Sequence, residues 1–381
     1  MENKIKVQIV QPVVPTYRVP LFKALFNDDR FEVHIMAAKE EPYGVTSVEA
    51  FHPNIDLTHD ISLIFNKLMW QKKLVLLPQM RQGDVLIING NIKFLSNYRL
   101  IAEAKRRKIA VVWWGHAWSS TTTQLSFYVR LKIMKIADFF LVYTEKEKQM
   151  LIEQGFEGKI IHFMNNTIDT SLIFKIKKQV TADKIERFKA ENKLTGKRVL
   201  LFTGRLKRTP SVYLDDALKA LSMLNSEGDK YILLVIGDGT ERENLRDLAQ
   251  KLKVDKSVLF LGAIYNEETL APWFLSADCF VFPGAIGLSL LHAFAYGLPV
   301  ITHNIIKEHN PEIAALKNGK NGLLFKKNDP VDLAKKISNM FSDIARFRKR
   351  AYLAVTDEYS YEKLIGRVKD CIVEASALKR N

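Results

Sequence analysis

The sequence predicts an α/β protein built from two doubly wound parallel sheets in two domains. Apolar strand-like runs alternate with helical patterns from end to end, the signature of parallel strands joined by helical crossovers. In the second half, strand-like runs repeatedly end in a glycine turn that opens a helix. With 381 residues the chain accommodates two domains, each with its own core, more readily than one very large one.

In the first half, strands are expected at IKVQIV, FEVHIMA, DVLIIN, IAVVWW and DFFLVYT, with helices such as LSNYRLIAEAKRRK and TEKEKQMLIEQG between them. A polar, lysine-rich segment, FKIKKQVTADKIERFKAENKLTGK, then separates the halves and puts the boundary near Lys175 to Lys184. The second series of strands is RVLLFTG, YILLVIG, SVLFLGA, DCFVFPG, PVITH and NGLLF, with helices such as RENLRDLAQKL and VDLAKKISNMF. The expected domains are residues 1–178 and 179–358, followed by a terminal helix over 359–381 that packs back toward the first domain. Doubly wound sheets bind ligands outside the carboxyl ends of their strands, and two such domains facing each other would form a cleft for a small ligand.

Composition narrows the class. Hydrophobic residues make up 47% and charged residues 26%, values of a folded soluble protein. No apolar run has the length of a membrane span, and MENKIKVQIV leads directly into a strand, so a cytoplasmic location is expected. Cys279 and Cys371, far apart within apolar or helical patterns, suit buried thiols better than a disulfide framework.

The net charge of +15 is uneven. From Ile61 to Lys135 there are thirteen Lys or Arg against Asp84 and Glu103, a local net of +11. Such a face attracts anionic membranes, nucleic acids or acidic substrates. Within it, LIFNKLMWQKKLVLLPQMR has the composition of a helix lying on a membrane surface or of a core helix with a basic solvated side; the surrounding charge favours the membrane. Nucleic acid is not expected as a partner, because no nucleic-acid-binding motif accompanies the charge.

Chemistry concentrates at the glycine turns. In GRLKRTPS, Gly204 ends a strand and Arg205, Lys207 and Arg208 follow. GDGTERENL and PGAIGLSLLHAF, with Gly284 and Gly287, place further glycines before helices. Helix amino ends bind anions through free N–H groups and the helix dipole, and glycine permits close approach, so these turns outline a diphosphate site. No Walker lysine motif, paired cysteines, HExxH or GxSxG elbow occurs, and no Asp-x-Asp that would suggest a metal.

In order and spacing, FTGRLK, VIGDGTERENL, VLFLGAI, ADCFVFPG, GLSLLHAFAYGLPVI, PEIAALKNGKNGLLF and DLAKKI resemble the GT-B-fold glycosyltransferases. The resemblance is greatest to glycosyltransferase family four, the retaining enzymes that use nucleotide sugars. QPVVPTYRVPLFKAL, VVWWGHAW and MNNTIDTSLI resemble the amino-terminal domain of its bacterial surface-polysaccharide members. The resemblance implies two Rossmann-like domains facing a central cleft, a nucleotide-sugar donor, a glycan or lipid-linked acceptor, and neither metal nor cofactor.

The resemblance also implies roles for residues. Arg205, with Lys207 or Arg208 standing in for the family's lysine, would meet the donor diphosphate beside Gly204. The backbone at Gly287, Leu288 and Ser289 would meet it from the helix end, and Gly262 would lie beside the nucleobase. Where the family carries two glutamates this chain has Gly284 and His292. His292 is expected to hydrogen-bond the ribose, the other reading being a packed histidine on a buried helix. His116, after a strand, would approach the donor sugar as a catalytic residue. Tyr17 and Arg18 would meet the acceptor or the phosphate, and Glu312 would open a helix beside the donor. Loss of both glutamates leaves a non-catalytic binding subunit as an alternative to a transferase, and because epimerases of nucleotide sugars share the architecture, an epimerase is a more remote one.

Overall fold

The computed structural model describes residues 4–42, 44–117, 124–207, 214–226, 228 and 230–380. The chain divides into two compact units, Met1–Asn166 together with Glu362–Asn381, and Thr167–Tyr361.

The first unit runs β1 (Ile5–Val10), α1 (Val19–Phe26), β2 (Phe31–Met36), β3 (Ile55–Asp56), β4 (Ile61–Ile64), β5 (Leu68–Gln71), β6 (Val85–Asn89), α2 (Leu95–Arg106), β7 (Ala110–Trp114), α3 (Gln124–Met134), β8 (Phe139–Val142), α4 (Glu145–Glu153) and β9 (Ile161–Phe163). Seven of these strands form a parallel sheet in the order β3-β2-β1-β6-β7-β8-β9. Strands β6 and β7 are buried along their whole length, which is why their sequences are unbroken apolar runs rather than alternating ones. The order reverses between β1 and β6, so their carboxyl ends diverge and open a crevice.

The helix expected in the basic window does not form. β4 and β5 make an antiparallel hairpin whose turn holds Phe65 and Asn66 at φ +49° and +55°. Met69 and Gln71 are buried while Trp70 between them is exposed, a period of two that a helix cannot use. Beyond the hairpin, Leu74, Leu76 and Met80 enter the first unit's core without regular structure.

The second unit contains α5 (Ser171–Gln179), α6 (Ala182–Glu191), β10 (Arg198–Thr203), α7 (Leu214–Leu224), β11 (Tyr231–Ile236), α8 (Arg242–Lys251), β12 (Val258–Gly262), α9 (Glu267–Ser276), β13 (Cys279–Phe282), α10 (Leu288–Ala295), β14 (Val300–His303), β15 (Gly322–Phe325), α11 (Pro330–Phe341) and α12 (Ile344–Leu353). Its sheet has the order β12-β11-β10-β13-β14-β15, with the reversal between β10 and β13. The units divide at Asn166/Thr167, earlier than the 178/179 boundary expected from the lysine-rich stretch. That stretch is not a linker: it forms α5 and α6. Ile173 and Ile176 of α5 join the second unit's core, and Phe188 of α6 meets Trp273 edge-on at 4.7 Å.

The chain closes with α13 (Tyr361–Arg380), which belongs to the first unit from Glu362 onward. Lys369 pairs with Asp28 at 2.8 Å, Lys379 with Asp138 at 2.9 Å, and the Ser376 hydroxyl donates to the Gly83 carbonyl. Both cysteines are buried and unpaired.

Candidate functional site

The glycine turns of the second unit pack against each other at the carboxyl ends of β10, β11 and β12. The Gly204 N–H donates to the Ile236 carbonyl at 3.0 Å, Gly237 to Gly262 at 2.7 Å, and Leu206 to Asp238 at 3.0 Å. Gly237 has φ +145°, and a Cβ there would sit 1.8 Å from the Gly204 carbonyl oxygen, so no other residue fits without moving the loops. Gly262 takes φ +75°. Arg205 and Lys207 are exposed on the loop after β10; Arg208 lies outside the described residues.

Across the strand-order reversal, β13 leads through Gly284 to α10, whose N-cap is Gly287 with no side-chain cap. The N–H groups of Leu288 and Ser289 therefore open the helix without an intrahelical acceptor. A Cβ on Gly287 would lie 2.6 Å from Asn310 Nδ2. The loop is held from behind: the Ile286 N–H donates to His309 Nδ1 at 3.0 Å, and His309 Nε2 reaches the His303 carbonyl at 2.9 Å. His303 and His309 stack at 4.0 Å, and burial pushes the His303 imidazole down to about 4. Glu312 lies nearby in sequence in a 3-10 segment, Pro311–Ala315, and is buried rather than presented to solvent.

His292 is already engaged. Its Nε2 lies 3.0 and 3.2 Å from the two carboxylate oxygens of Glu267 on the first turn of α9, and the Tyr296 hydroxyl donates to Glu267 Oε1 at 2.5 Å. The Phe274 ring meets the imidazole edge-on at 4.6 Å. Burial would raise the Glu267 carboxyl, but the hydrogen bonds and charge of His292 and the Tyr296 bond hold it below its ordinary value. His292 thus grips a carboxylate supplied by the neighbouring helix. Sequence reading missed Glu267, which carries no motif of its own.

The first unit builds its site from side chains. A pocket of about 840 Å³ opens at the carboxyl ends of β1, β6, β7 and β8, where the strand order reverses. Gly90 and Gly115 line it where the chain ends of β6 and β7 nearly touch; a Cβ on Gly115 would lie 2.6 Å from the Gly90 Cα. Arg18 is only 9% exposed. It donates to Gln11 Oε1 at 2.7 Å and to the Tyr143 hydroxyl at 2.8 Å, with its guanidinium 4.5 Å over the Trp114 ring. Tyr17 lines the same pocket and is partly exposed.

His116 also lines this pocket, its side chain 42% exposed. Nδ1 lies 3.2 Å from Glu147 Oε1, and the ring lies tilted against Tyr143 with centroids 4.2 Å apart. Glu147 is the capping-box residue of α4: it accepts from the Tyr143 and Thr144 N–H groups at 3.0 and 3.1 Å while Thr144 caps its own N–H. TEKEKQMLIEQG is legible in the sequence as a helix; the reach of Glu147 to His116 is not. Arg130, on α3, completes the wall and donates to the His116 carbonyl at 3.3 Å. The structure thus gathers Tyr17, Arg18 and His116 in the first unit, and Gly204, Arg205, Lys207, Gly262, Gly284, Gly287, Leu288 and Ser289 around the strand ends of the second.

Residues 183–354 match the family of glycosyl transferases group 1. The matched stretch is 172 of the chain's 381 residues and lies wholly within the second unit. Among proteins similar to the chain is a glycogen synthase of Mycobacterium tuberculosis, 31% identical over 183 residues, or 46% of this chain and 42% of that one. The chain therefore spans less than half the length of that relative. Among solved structures, the Anabaena protein HepE in complex with UDP has a TM-score of 0.69 at 14% identity, covering 98% of this chain and 100% of that one. The lipopolysaccharide outer core galactosyltransferase WaaB has a TM-score of 0.69 at 15% identity, with 97% and 99% covered. The fold is accordingly GT-B, with two Rossmann-like halves, and the residues that match the family lie in the second of them.

Proposed function

We propose that the chain is a retaining glycosyltransferase. It moves a sugar from a nucleoside-diphosphate sugar to a glycan or lipid-linked acceptor in cell-surface glycan biosynthesis. The observation that carries this is the second unit's paired strand ends: cationic Arg205 and Lys207 follow β10, and the uncapped amino end of α10 follows the adjacent β13. A diphosphate there gains charge from the loop and N–H donors from the helix, and the same groups stabilise it as a leaving group. This set needs no metal in the reading we favour. The leaving diphosphate itself helps deprotonate the attacking hydroxyl, as the family resemblance implies, so no protein nucleophile is required.

In this reading the ribose hydroxyls meet Glu267, with His292 as the residue that positions it. His116, fixed through Nδ1 by Glu147, presents its other nitrogen to the reacting sugar, and Tyr17 and Arg18 receive the acceptor. UDP in the Anabaena neighbour makes uridine the first base to try. The lipopolysaccharide and capsule classes of acceptor follow from the family resemblance and the WaaB likeness. The basic window, including a hairpin whose tip residue Phe65 is 90% exposed, is proposed to rest on the anionic inner face of the cell membrane. No described helix is long and apolar enough to cross one.

The test is calorimetric titration with UDP, GDP, dTDP, CMP and their sugars. One base should bind saturably. Arg205→Ala should weaken it at least tenfold, about 1.5 kcal/mol or more for a lost charge-assisted contact. Glu267→Gln should weaken it about fivefold in protein that is still folded at the titration temperature, and loss of the charged bonds to His292 and Tyr296 should also lower the unfolding midpoint. Absence of binding by every nucleotide would sink the donor site. The substitution of both family glutamates by Gly284 and His292 favours a second reading, a binding subunit without turnover. Donor binding with no transfer or hydrolysis would select it, and conversion of the donor without acceptor would select an epimerase.

A further inference from the structure

The pocket of the first unit has more donors than its described residues satisfy. Arg18 is nine-tenths buried, yet its partners, Gln11 and Tyr143, are neutral. Arg130 is partly buried, and burial lowers its guanidinium from the ordinary value; its bond is to the His116 carbonyl. Among the described residues no carboxylate forms an ion pair with either guanidinium, and the buried Nε atoms of both lack an acceptor. The side-chain N–H donors of Asn89 and Trp114, which line the same pocket, also lack one.

The acids nearby do not answer this demand. Glu147 is near enough for its charge to act on Arg130, but it forms no ion pair there and its oxygens are committed to the backbone of Ala117, Tyr143 and Thr144 and to His116. Glu41 lines the pocket too, and burial pushes its carboxyl upward, toward the neutral form. A buried cation held only by neutral groups is costly, and an incoming oxyanion would offset that cost.

We propose that this pocket is an oxyanion-binding site, and that the acceptor carries a phosphate or carboxylate that seats between Arg18 and Arg130. The inference rests on the transferase reading for the word acceptor, but the anion site stands on the pocket alone. A glycan phosphate, including that of a lipid-linked acceptor, and an acidic sugar share this chemistry; the donor's own diphosphate is the third source of the same charge.

The test is titration of the full chain with glycerol phosphate, glucuronate and glucose, with and without saturating UDP. One of the two oxyanions should bind at least tenfold more tightly than glucose. Arg130→Gln should abolish that preference while UDP affinity is retained, and Arg18→Lys should weaken it less. Which oxyanion wins separates the phosphate source from the carboxylate source. Equal affinity for glucose and both oxyanions would overturn the proposal, as would oxyanion binding that survives both substitutions or is displaced by UDP. Oxyanion binding as expected, with no nucleotide binding, would leave the site standing and remove the donor reading instead.

Discussion

The two units present the same architectural opportunity, a crevice where strand order reverses, and they fill it differently. The second unit lines its crevice with backbone: Gly204, Gly237, Gly262 and Gly287, stitched loop to loop and finished by a helix end. The first unit lines its crevice with side chains, the buried Arg18 and Trp114, the half-buried Arg130 and Tyr143, and a tethered His116. A backbone surface suits a group that never varies, such as a diphosphate. Side chains can be exchanged one at a time, and so suit a ligand that differs from one relative to the next.

The sharpest way to break this comparison is Gly237→Ala. If the loops form one close-packed surface, the new Cβ, 1.8 Å from the Gly204 oxygen, should cost about 3 kcal/mol or more and lower the unfolding midpoint by several degrees. A calorimetric scan indistinguishable from wild type would show that the loops adapt freely.

A second consequence concerns acid. The folded His303 titrates at about 4 because it is buried, whereas an unfolded histidine titrates near 6.5. Between those values the unfolded chain binds the extra proton and the folded one does not. Stability is therefore full above about pH 6.5 and falls as pH drops toward 4, by up to about 3 kcal/mol. Denaturant titrations of wild type and His303→Asn across this range should show a steeper loss in the wild type; parallel curves would remove His303 as the cause.

The smallest expected effect tests the first unit's outer surface. Reversing charge at exposed Lys72, Lys73 and Arg106 should release the protein from acidic liposomes, at about 1 kcal/mol per residue and less at high salt. Retention of the triple variant on the vesicles would refute membrane contact there. Arg107 is unsuitable for this test, because its guanidinium holds the carbonyls of Leu77, Pro78 and Met80.

The difference between the units also governs how much the sequence discloses. Both sheets and the donor-side turns are legible because glycine after an apolar strand is a local signal. The first pocket is legible only in part: Tyr17, Arg18 and His116 stand in loops after strands, but Gln11, Arg130, Tyr143 and Glu147 come from separate elements, and burial, which gives Arg18 its meaning, is a property of the finished fold. His292 was found by position, but its partner lies on another helix at Glu267, beyond any local pattern. The basic hairpin was mistaken for a helix because strands of four residues are too short for their period to outweigh composition.

The terminal helix α13 gives the chain an order of assembly. The first unit's sheet is synthesised early, yet the helix that pairs Lys369 with Asp28 and Lys379 with Asp138 is made only after the whole second unit. During synthesis the second unit can fold from a continuous stretch, while the first waits, incomplete, for contacts that close across most of the sequence. The growing chain must therefore shelter the face later covered by α13, and damage to that helix falls on the earlier-made of the two units.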